Sequence, residues 1–119
     1  MKKRMLIVED NDGFRKILAM QMRNYSVFVE VIYASNTIQG EALVETHKPD
    51  IVLTDFKMKK AGIPNGIWLL RQIQERHPHI KRMLMSGSIP PGMKEDTGAV
   101  QAFFEKPFDL DKVMRAIGI

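Results

Sequence analysis

Three acidic residues directly follow short apolar runs, and they are the first candidates for chemistry in this chain. Glu9 and Asp10 follow the run at 5–8, and Asp55 follows the run at 51–54. Carboxylates gathered at one place repel each other unless a cation joins them, and hard oxygen ligands favour Mg²⁺ or Mn²⁺. We therefore predict a magnesium site, with manganese as the alternative ion.

A hydroxyl and an ammonium group follow two further apolar runs. Ser86 follows the run at 83–85, and Lys106 comes shortly after the run at 102–104. In open α/β sheets the ligand crevice lies beyond the carboxyl ends of the strands, so these groups should converge with the carboxylates. Asp55 would then be a nucleophile, Ser86 a hydrogen-bond donor and Lys106 a fixed cation, a set suited to phosphoryl transfer through an aspartyl-phosphate.

The apolar runs that place these residues are predicted to be parallel strands. Four are nearly pure apolar, as strands covered by helices on both faces must be, whereas the second carries Glu30, which suits a sheet edge. Their alternation with amphipathic segments predicts a doubly wound (βα)₅ domain with a parallel five-stranded sheet in the order 2-1-3-4-5. The predicted strands are 5–8, 27–34, 51–54, 83–85 and 102–104.

Apolar residues at helical spacing predict the helices. Asp12, Asn36 and Asp109 are candidate N-caps of the first, second and last helix, and the third should end before Pro78. We expect each apolar stripe to face the core. The stripes are Phe14, Ile17, Leu18 and Met22; Ile38, Ala42 and Leu43; Ile67, Leu70 and Ile73; and Leu110, Val113, Met114 and Ile117.

The fourth crossover is predicted to contain only a short or irregular helix. It includes Pro90, Pro91, Gly92 and Gly98, which remove backbone donors or add backbone freedom. Any helix there would cover roughly residues 93–97.

Composition limits the remaining possibilities. The 119 residues suit one domain, 1–119, and the absence of cysteine excludes disulfides and thiolate metal sites. No apolar stretch approaches the roughly 18 residues of a membrane span, so we expect no membrane binding. The lack of cysteine is compatible with a reducing compartment, and we expect the cytoplasm as the location. The net charge of +4 invites a nucleic-acid interpretation. The basic residues are scattered rather than clustered, however, so no nucleic-acid binding is expected.

In their order along the chain, these motifs resemble the receiver domain of the two-component response regulators, in its stand-alone, single-domain form. The resemblance covers essentially the full length, and it depends on the segments together because each one alone is weakly specific. The matching segments are Leu6-Ile7-Val8-Glu9-Asp10, Pro49-Asp50-Ile51-Val52-Leu53-Thr54-Asp55, Asn65-Gly66, Met85-Ser86-Gly87 and Phe104-Glu105-Lys106-Pro107-Phe108.

The resemblance implies a flavodoxin-like fold and a phosphoacceptor switch rather than a dedicated enzyme. Asp55 would take a phosphoryl group from the phosphohistidine of a sensor histidine kinase or a phosphotransfer protein, and the signal would pass to a downstream protein target. The family pattern also implies that Glu9, Asp10 and Asp55 hold Mg²⁺ together with the backbone carbonyl of Lys57.

The same pattern implies the moving parts of the switch. Ser86 would supply the switch hydroxyl, Lys106 would contact the phosphoryl group, and Phe104 would be the aromatic residue whose rotamer reports phosphorylation. The family typically has a cis peptide at the position of Lys106-Pro107.

Two departures from the family pattern stand out. The loop after the phosphoacceptor is longer than usual and carries Lys57, Lys59 and Lys60, which either form a solvated loop or recruit an acidic partner. The prolines of the fourth crossover also put in question the usual output surface of helix 4, strand 5 and helix 5.

Three other interpretations remain to be weighed. The first is a receiver-like interaction module that works without phosphorylation, but such modules usually lose a site residue that this chain retains. A magnesium phosphatase using an aspartyl-phosphate would need a second Asp two residues after Asp55, where Lys57 stands. In a flavin-binding protein, the segment from Glu9 to Asp12 would repel the flavin phosphate.

Overall fold

The computed structural model describes residues 2–93 and 98–119. Within these ranges the chain forms five strands, four α-helices and a single 3₁₀ turn, Arg23–Tyr25. The strands are β1 (Lys3–Val8), β2 (Val29–Ala34), β3 (Ile51–Asp55), β4 (Lys81–Ser86) and β5 (Ala102–Glu105). The helices are α1 (Asp12–Met22), α2 (Thr37–His47), α3 (Gly66–Arg76) and α4 (Leu110–Ala116).

The strands form one parallel sheet in the order β2-β1-β3-β4-β5, which confirms the predicted α/β fold and strand order. The chain order reverses direction between β1 and β3, so the switch point lies between these two strands. Glu30 lies exposed on the edge strand β2, as its charge suggested.

Helices cover both faces of the sheet because alternate strand residues point to opposite sides. Met5 and Ile7 of β1 belong to a core beneath α1 and α4, whereas Leu6 and Val8 belong to a core beneath α2 and α3. All four side chains are fully buried. This two-sided burial explains why the inner strands read as continuous apolar runs.

Side-chain caps fix where the helices begin. Asn36 and Asp109 cap α2 and α4 as predicted. The prediction for α1 was wrong by one residue, because Asn11 is the N-cap and accepts a hydrogen bond from the amide of Phe14, while Asp12 is the first helical residue. The start of β2 was also wrong, since a turn bonded from Phe28 N to Tyr25 O leaves Val27 exposed and the strand begins at Val29.

Two predicted helix faces are partly wrong. Ile17 is exposed because it lies about 100° around α1 from the buried Leu18. In α2 the buried residues are Thr37, Gly40 and Val44, which leaves Ile38 and Ala42 exposed. A Cβ at Gly40 would lie 2.9 Å from Val8 Cγ2, so the α2 backbone rests directly on the sheet and this close approach sets the buried face.

The segment between β4 and β5 contains no helix in its described residues, 87–93 and 98–101. The short helix predicted at 93–97 falls mainly on residues outside the described ranges. Arg82, a buried residue of β4, anchors residues 98 and 99 of this segment. Its guanidinium donates to the carbonyls of Pro78, Ile80, Gly98 and Ala99.

Every helix in the described ranges is too short or too polar to traverse a lipid bilayer.

Candidate functional site

The carboxyl ends of the strands bring the predicted polar residues to one edge of the sheet. Asp55 and Ser86 are the last residues of β3 and β4, one position inside the strands rather than after them as predicted. Glu9 directly follows β1, and Lys106 directly follows β5. These residues meet because all the strands are parallel and end at the same edge.

An open cleft of about 380 Å³ lies at this edge. The cleft is lined by Glu9, Asp10, Asn11, Asp55, Lys57, Lys59, Ser86, Gly87, Ser88 and Lys106. All the predicted metal-site residues, the predicted switch hydroxyl and the predicted lysine therefore share one cavity.

Lys106 joins the two most buried carboxylates of the cleft. Its Nζ lies 2.7 Å from Glu9 Oε1 and 3.0 Å from Asp55 Oδ1. Glu9 is fully buried and Asp55 is 6% exposed, so the lysine compensates charge that solvent hardly reaches. The ammonium group also lies 4.4 Å from the ring centroid of Phe14, which adds a cation–π contact.

Three carboxylates of the cleft are close enough to share one cation. Glu9, Asp10 and Asp55 each offer an oxygen within 4.8 Å of the other two. Carboxylate oxygens are the ligands that Mg²⁺ prefers, and a magnesium site needs only one or two of them besides water and phosphate. The donor set therefore fits the predicted divalent metal.

Burial and like charge act strongly on Asp55. Desolvation, with a smaller contribution from the negative charge of Glu9, raises the pKa of Asp55 to about 6, although Lys106 acts in the opposite direction. Burial alone would lower the pKa of Lys106, but its bonds to Glu9 and Asp55 outweigh that effect and raise it. Lys106 is therefore charged at neutral pH, and Asp55 loses its proton at a higher pH than an exposed aspartate does.

Two backbone amides hold the acidic pair. The amide of Asn11 donates to Glu9 Oε2 at 3.1 Å, and the amide of Lys59 donates to Asp10 Oδ2 at 2.7 Å. The second bond ties the loop that follows β3 to the end of β1. Lys59 is thereby fixed at the rim of the cleft.

The start of α3 lies directly against the phosphoacceptor candidate. The amide of Gly66 donates to the carbonyl of Phe56 at 2.8 Å, and Asn65 caps the helix. A Cβ at Gly66 would lie 2.2 Å from the backbone oxygen of Asp55. Only glycine permits this approach, which explains the Asn65-Gly66 pair in the sequence.

Phe104, the predicted reporter of phosphorylation, is half-buried and packs against the core beneath α1 and α4. Its ring centroid lies 5.8 Å from that of Phe108, which in turn contacts the ring of Phe14. The predicted cis peptide is present between Lys106 and Pro107.

Sequence reasoning missed three residues that support the site. Asn11 both caps α1 and bonds Glu9, Arg15 donates to the carbonyl of Glu9 at 2.7 Å, and Phe14 supports Lys106. The sequence does contain a signal for Asn11, because asparagine is a preferred N-cap residue and stands just before the apolar stripe of α1. Arg15 and Phe14 gave none, since their contacts depend on how α1 leaves the sheet.

Comparison with known proteins agrees with this geometry. The family model described as "Response regulator receiver domain" matches residues 5–118. Sporulation initiation phosphotransferase F of Bacillus subtilis is 30% identical, over 98% of this chain and 92% of that protein. Sensor kinase CckA of Brucella abortus is also 30% identical over 94% of this chain, but the match spans only 12% of the kinase.

Solved structures extend the likeness to the fold. A CheY-like response regulator receiver domain protein from Methanospirillum hungatei superposes with a TM-score of 0.82 at 24% identity, covering 98% of this chain and 91% of that one. The signal receiver domain of an HD domain-containing protein from Pseudomonas fluorescens gives 0.84 at 18% identity, covering 98% and 92%. With the match at 5–118, the chain belongs to the receiver domains of two-component response regulators.

Proposed function

We propose that this receiver domain is a switch operated by magnesium-dependent phosphorylation of Asp55, with the phosphohistidine of a histidine kinase or phosphotransfer protein as the donor. The observation that carries the proposal is the placement of the Lys106 ammonium within 3.0 Å of both Glu9 and Asp55, beside carboxylates that can share one cation. On this proposal the domain comprises the whole chain, 1–119, and acts as a phosphoacceptor rather than a dedicated enzyme.

The metal site would be built from the acidic residues of the cleft. Glu9, Asp10 and Asp55 would hold Mg²⁺, or Mn²⁺, with the backbone carbonyl of Lys57 as a further ligand. A bound divalent cation supplies positive charge to the transferring phosphoryl oxygens. It would also ionise Asp55 fully at neutral pH, because a cation within ligand distance favours the carboxylate.

The transfer itself needs one nucleophile and one leaving group. A carboxylate oxygen of Asp55 forms the new bond to phosphorus while the P–N bond of phosphohistidine breaks, and the electron pair stays on the imidazole nitrogen. Lys106 would shift from Asp55 toward the new phosphoryl oxygens, since these carry more charge than the carboxylate. Ser86, whose side chain lines the same cleft, would donate its hydroxyl to another oxygen.

The conformational response would follow from these new bonds. Drawing the Ser86 hydroxyl toward the phosphoryl group moves the start of the segment that leaves β4, and Phe104 can then turn further inward. A changed surface around β4 and β5 would be read by a downstream protein target.

A receiver-like module that works without phosphorylation is the alternative, but the retention of all five acidic, hydroxyl and lysine site residues favours the phosphorylated switch.

Intact mass measurement tests the proposal. The protein is incubated with acetyl phosphate as a stand-in donor, with Mg²⁺ or with EDTA, and one phosphoryl group should be added only when Mg²⁺ is present. Asp55→Asn should abolish the addition, whereas Asp50→Asn, which changes a carboxylate at the opposite edge of the sheet, should not. Addition that persists in Asp55→Asn would overturn the assignment.

A further inference from the structure

Strand β2 leaves one edge of the sheet open, and the proposed switch makes no use of it. β2 stands at the end of the strand order, with β1 as its neighbour. Its even-numbered residues turn their backbone groups toward β1, because the ladder begins at the carbonyl of Phe28 and ends at that of Ala34. Alternate residues of a strand direct these groups to opposite sides. The N–H and C=O groups of Val29, Val31 and Tyr33 therefore point away from the sheet.

This edge is uncovered within the described residues, 2–93 and 98–119. The outward backbone groups of Val31 and Tyr33 have no hydrogen-bond partner in those ranges. Val27 and Phe28, which come just before β2, are 76% and 53% exposed. An open edge with apolar residues beside it is a template for another extended chain, since a second backbone offers donors and acceptors at the same spacing.

A cavity of about 270 Å³ opens along the same edge, between β2 and α1. It is lined by Ala19, Met22, Arg23, Ser26, Val29, Val31 and Tyr33. The odd-numbered side chains of β2 lie on this face of the sheet, because they belong to the core beneath α1 and α4 or pack against it. A strand added at the edge would place every second side chain over the cavity.

We propose that the β2 strands of two copies of this chain pair antiparallel at this edge and join their sheets into one. The edge is self-complementary about a two-fold axis at Ile32. Val31 of each copy then lies opposite Tyr33 of the other and exchanges both backbone hydrogen bonds with it, about four bonds in all. An aromatic residue opposite a β-branched one is a favourable cross-strand pair, and each tyrosine ring would enter the cavity of the other copy.

The charge on β2 selects this register. Glu30 is exposed and is the carboxylate of the strand. Pairing centred on Val31 would set the two glutamates diagonally on one face, about 8 Å apart, where like charges oppose pairing. Pairing centred on Ile32 instead places each Glu30 opposite Ala34 of the other copy and separates the glutamates by about 14 Å.

Amide hydrogen exchange tests the pairing in the unaltered protein, at about 10 µM and about 500 µM because so small an interface gives a weak dimer. The amides of Val31 and Tyr33 should exchange quickly at the low concentration and about threefold more slowly at the high one. The amides of Glu30 and Ile32 bond to β1 and serve as internal controls, so their protection should change little. Exchange at Val31 and Tyr33 that does not depend on protein concentration would overturn the proposal.

Cysteine substitution tests the register, since the chain has no cysteine of its own. With oxidised glutathione as the oxidant, Ile32→Cys should give a disulfide-linked dimer, because facing residues of a non-hydrogen-bonded pair have Cα atoms about 4.5 Å apart. Ile38→Cys, at an exposed position of α2, is the control and should cross-link about tenfold more slowly or less. Faster cross-linking of Val31→Cys than of Ile32→Cys would overturn the register.

Val31→Pro tests association directly. Proline removes an outward N–H that the ladder with β1 does not use, so urea unfolding should show an intact fold. Sedimentation equilibrium should show dimerisation at least about tenfold weaker than in the parent. Ile38→Ser, which removes an exposed apolar side chain without changing the edge, should dimerise like the parent. A parent that stays monomeric at about 500 µM, or an undiminished dimer of Val31→Pro, would refute pairing through β2.

Discussion

Asp55→Asn should stabilise the metal-free protein at neutral pH, and the size of the effect follows from the burial of Asp55. Ionising this carboxyl in the folded state costs free energy because desolvation and Glu9 raise its pKa from 3.8 to about 6. Each pKa unit corresponds to about 1.4 kcal/mol, so the cost at pH 7.5 is about 1–3 kcal/mol after some relief by solvent. Asparagine has nearly the same shape and does not ionise, so the variant avoids this cost.

The pH dependence gives the sign of the effect. Between about pH 4 and pH 6 the folded state binds the Asp55 proton more tightly than the unfolded state, so the stability of the parent falls as pH rises. Above about pH 6 the loss of stability caused by ionising Asp55 stays constant, and below about pH 4 it disappears. The variant should therefore match the parent near pH 4 and exceed it by about 1–3 kcal/mol at pH 7.5.

Urea unfolding in EDTA, followed through Trp68 fluorescence or circular dichroism, measures the difference. Glu75→Gln, which removes an exposed carboxylate of α3, is the control and should show no such profile. Adding Mg²⁺ should reduce the difference in unfolding free energy between variant and parent, because the metal binds the folded parent and stabilises it. A variant no more stable than the parent at pH 7.5, or a difference that does not change with pH, would refute the burial argument.

Three further predictions concern other parts of the site. Asp10→Ala should weaken Mg²⁺ binding by about tenfold or more in calorimetric titration without loss of the fold, since one charged ligand is removed from a surface that is partly solvated; equal affinity would contradict the metal role. Lys106→Ala should cost about 3 kcal/mol in urea unfolding, because it leaves buried Glu9 without its cation. It should also reduce the spectral response to phosphorylation more than it reduces the uptake of phosphate, and a full parental response would exclude a role of Lys106 in coupling. Gly66→Ala should cost more than about 2 kcal/mol because the new methyl group meets the backbone of Asp55, whereas Gly87→Ala, where no atom lies within 4 Å, should be nearly neutral.

The fold and the residues that meet in the cleft were accessible from the sequence because they depend on local patterns. Apolar runs identify strands, and the rule that parallel strands end at one edge places Glu9, Asp55 and Lys106 together without any knowledge of contacts. The resemblance to a known family added the roles of these residues, and those roles remain proposals.

The errors arose where tertiary packing decides between neighbouring positions. Ile38 was expected inside because it belongs to an apolar stripe, but α2 packs on the sheet through Gly40, which lies against Val8, and Thr37 is buried in place of Ile38. The bond from the Lys59 amide to Asp10 joins residues 49 positions apart through a backbone group, so no side-chain pattern could indicate it. The cation–π contact of Lys106 with Phe14 depends in the same way on the angle at which α1 leaves the sheet.

The bonding of Arg82 has a consequence for how this domain tolerates sequence change. Its guanidinium donates to the main-chain carbonyls of residues 78, 80, 98 and 99, and a carbonyl is present whatever side chain the residue bears. Substitutions at those positions leave the four acceptors in place, but Ile80 and Ala99 are buried in the core and Gly98 has a φ of 90°, so packing and backbone conformation still restrict the sequence there. Arg82 itself has no substitute, because a lysine presents its donors from a single atom and cannot span the same four acceptors.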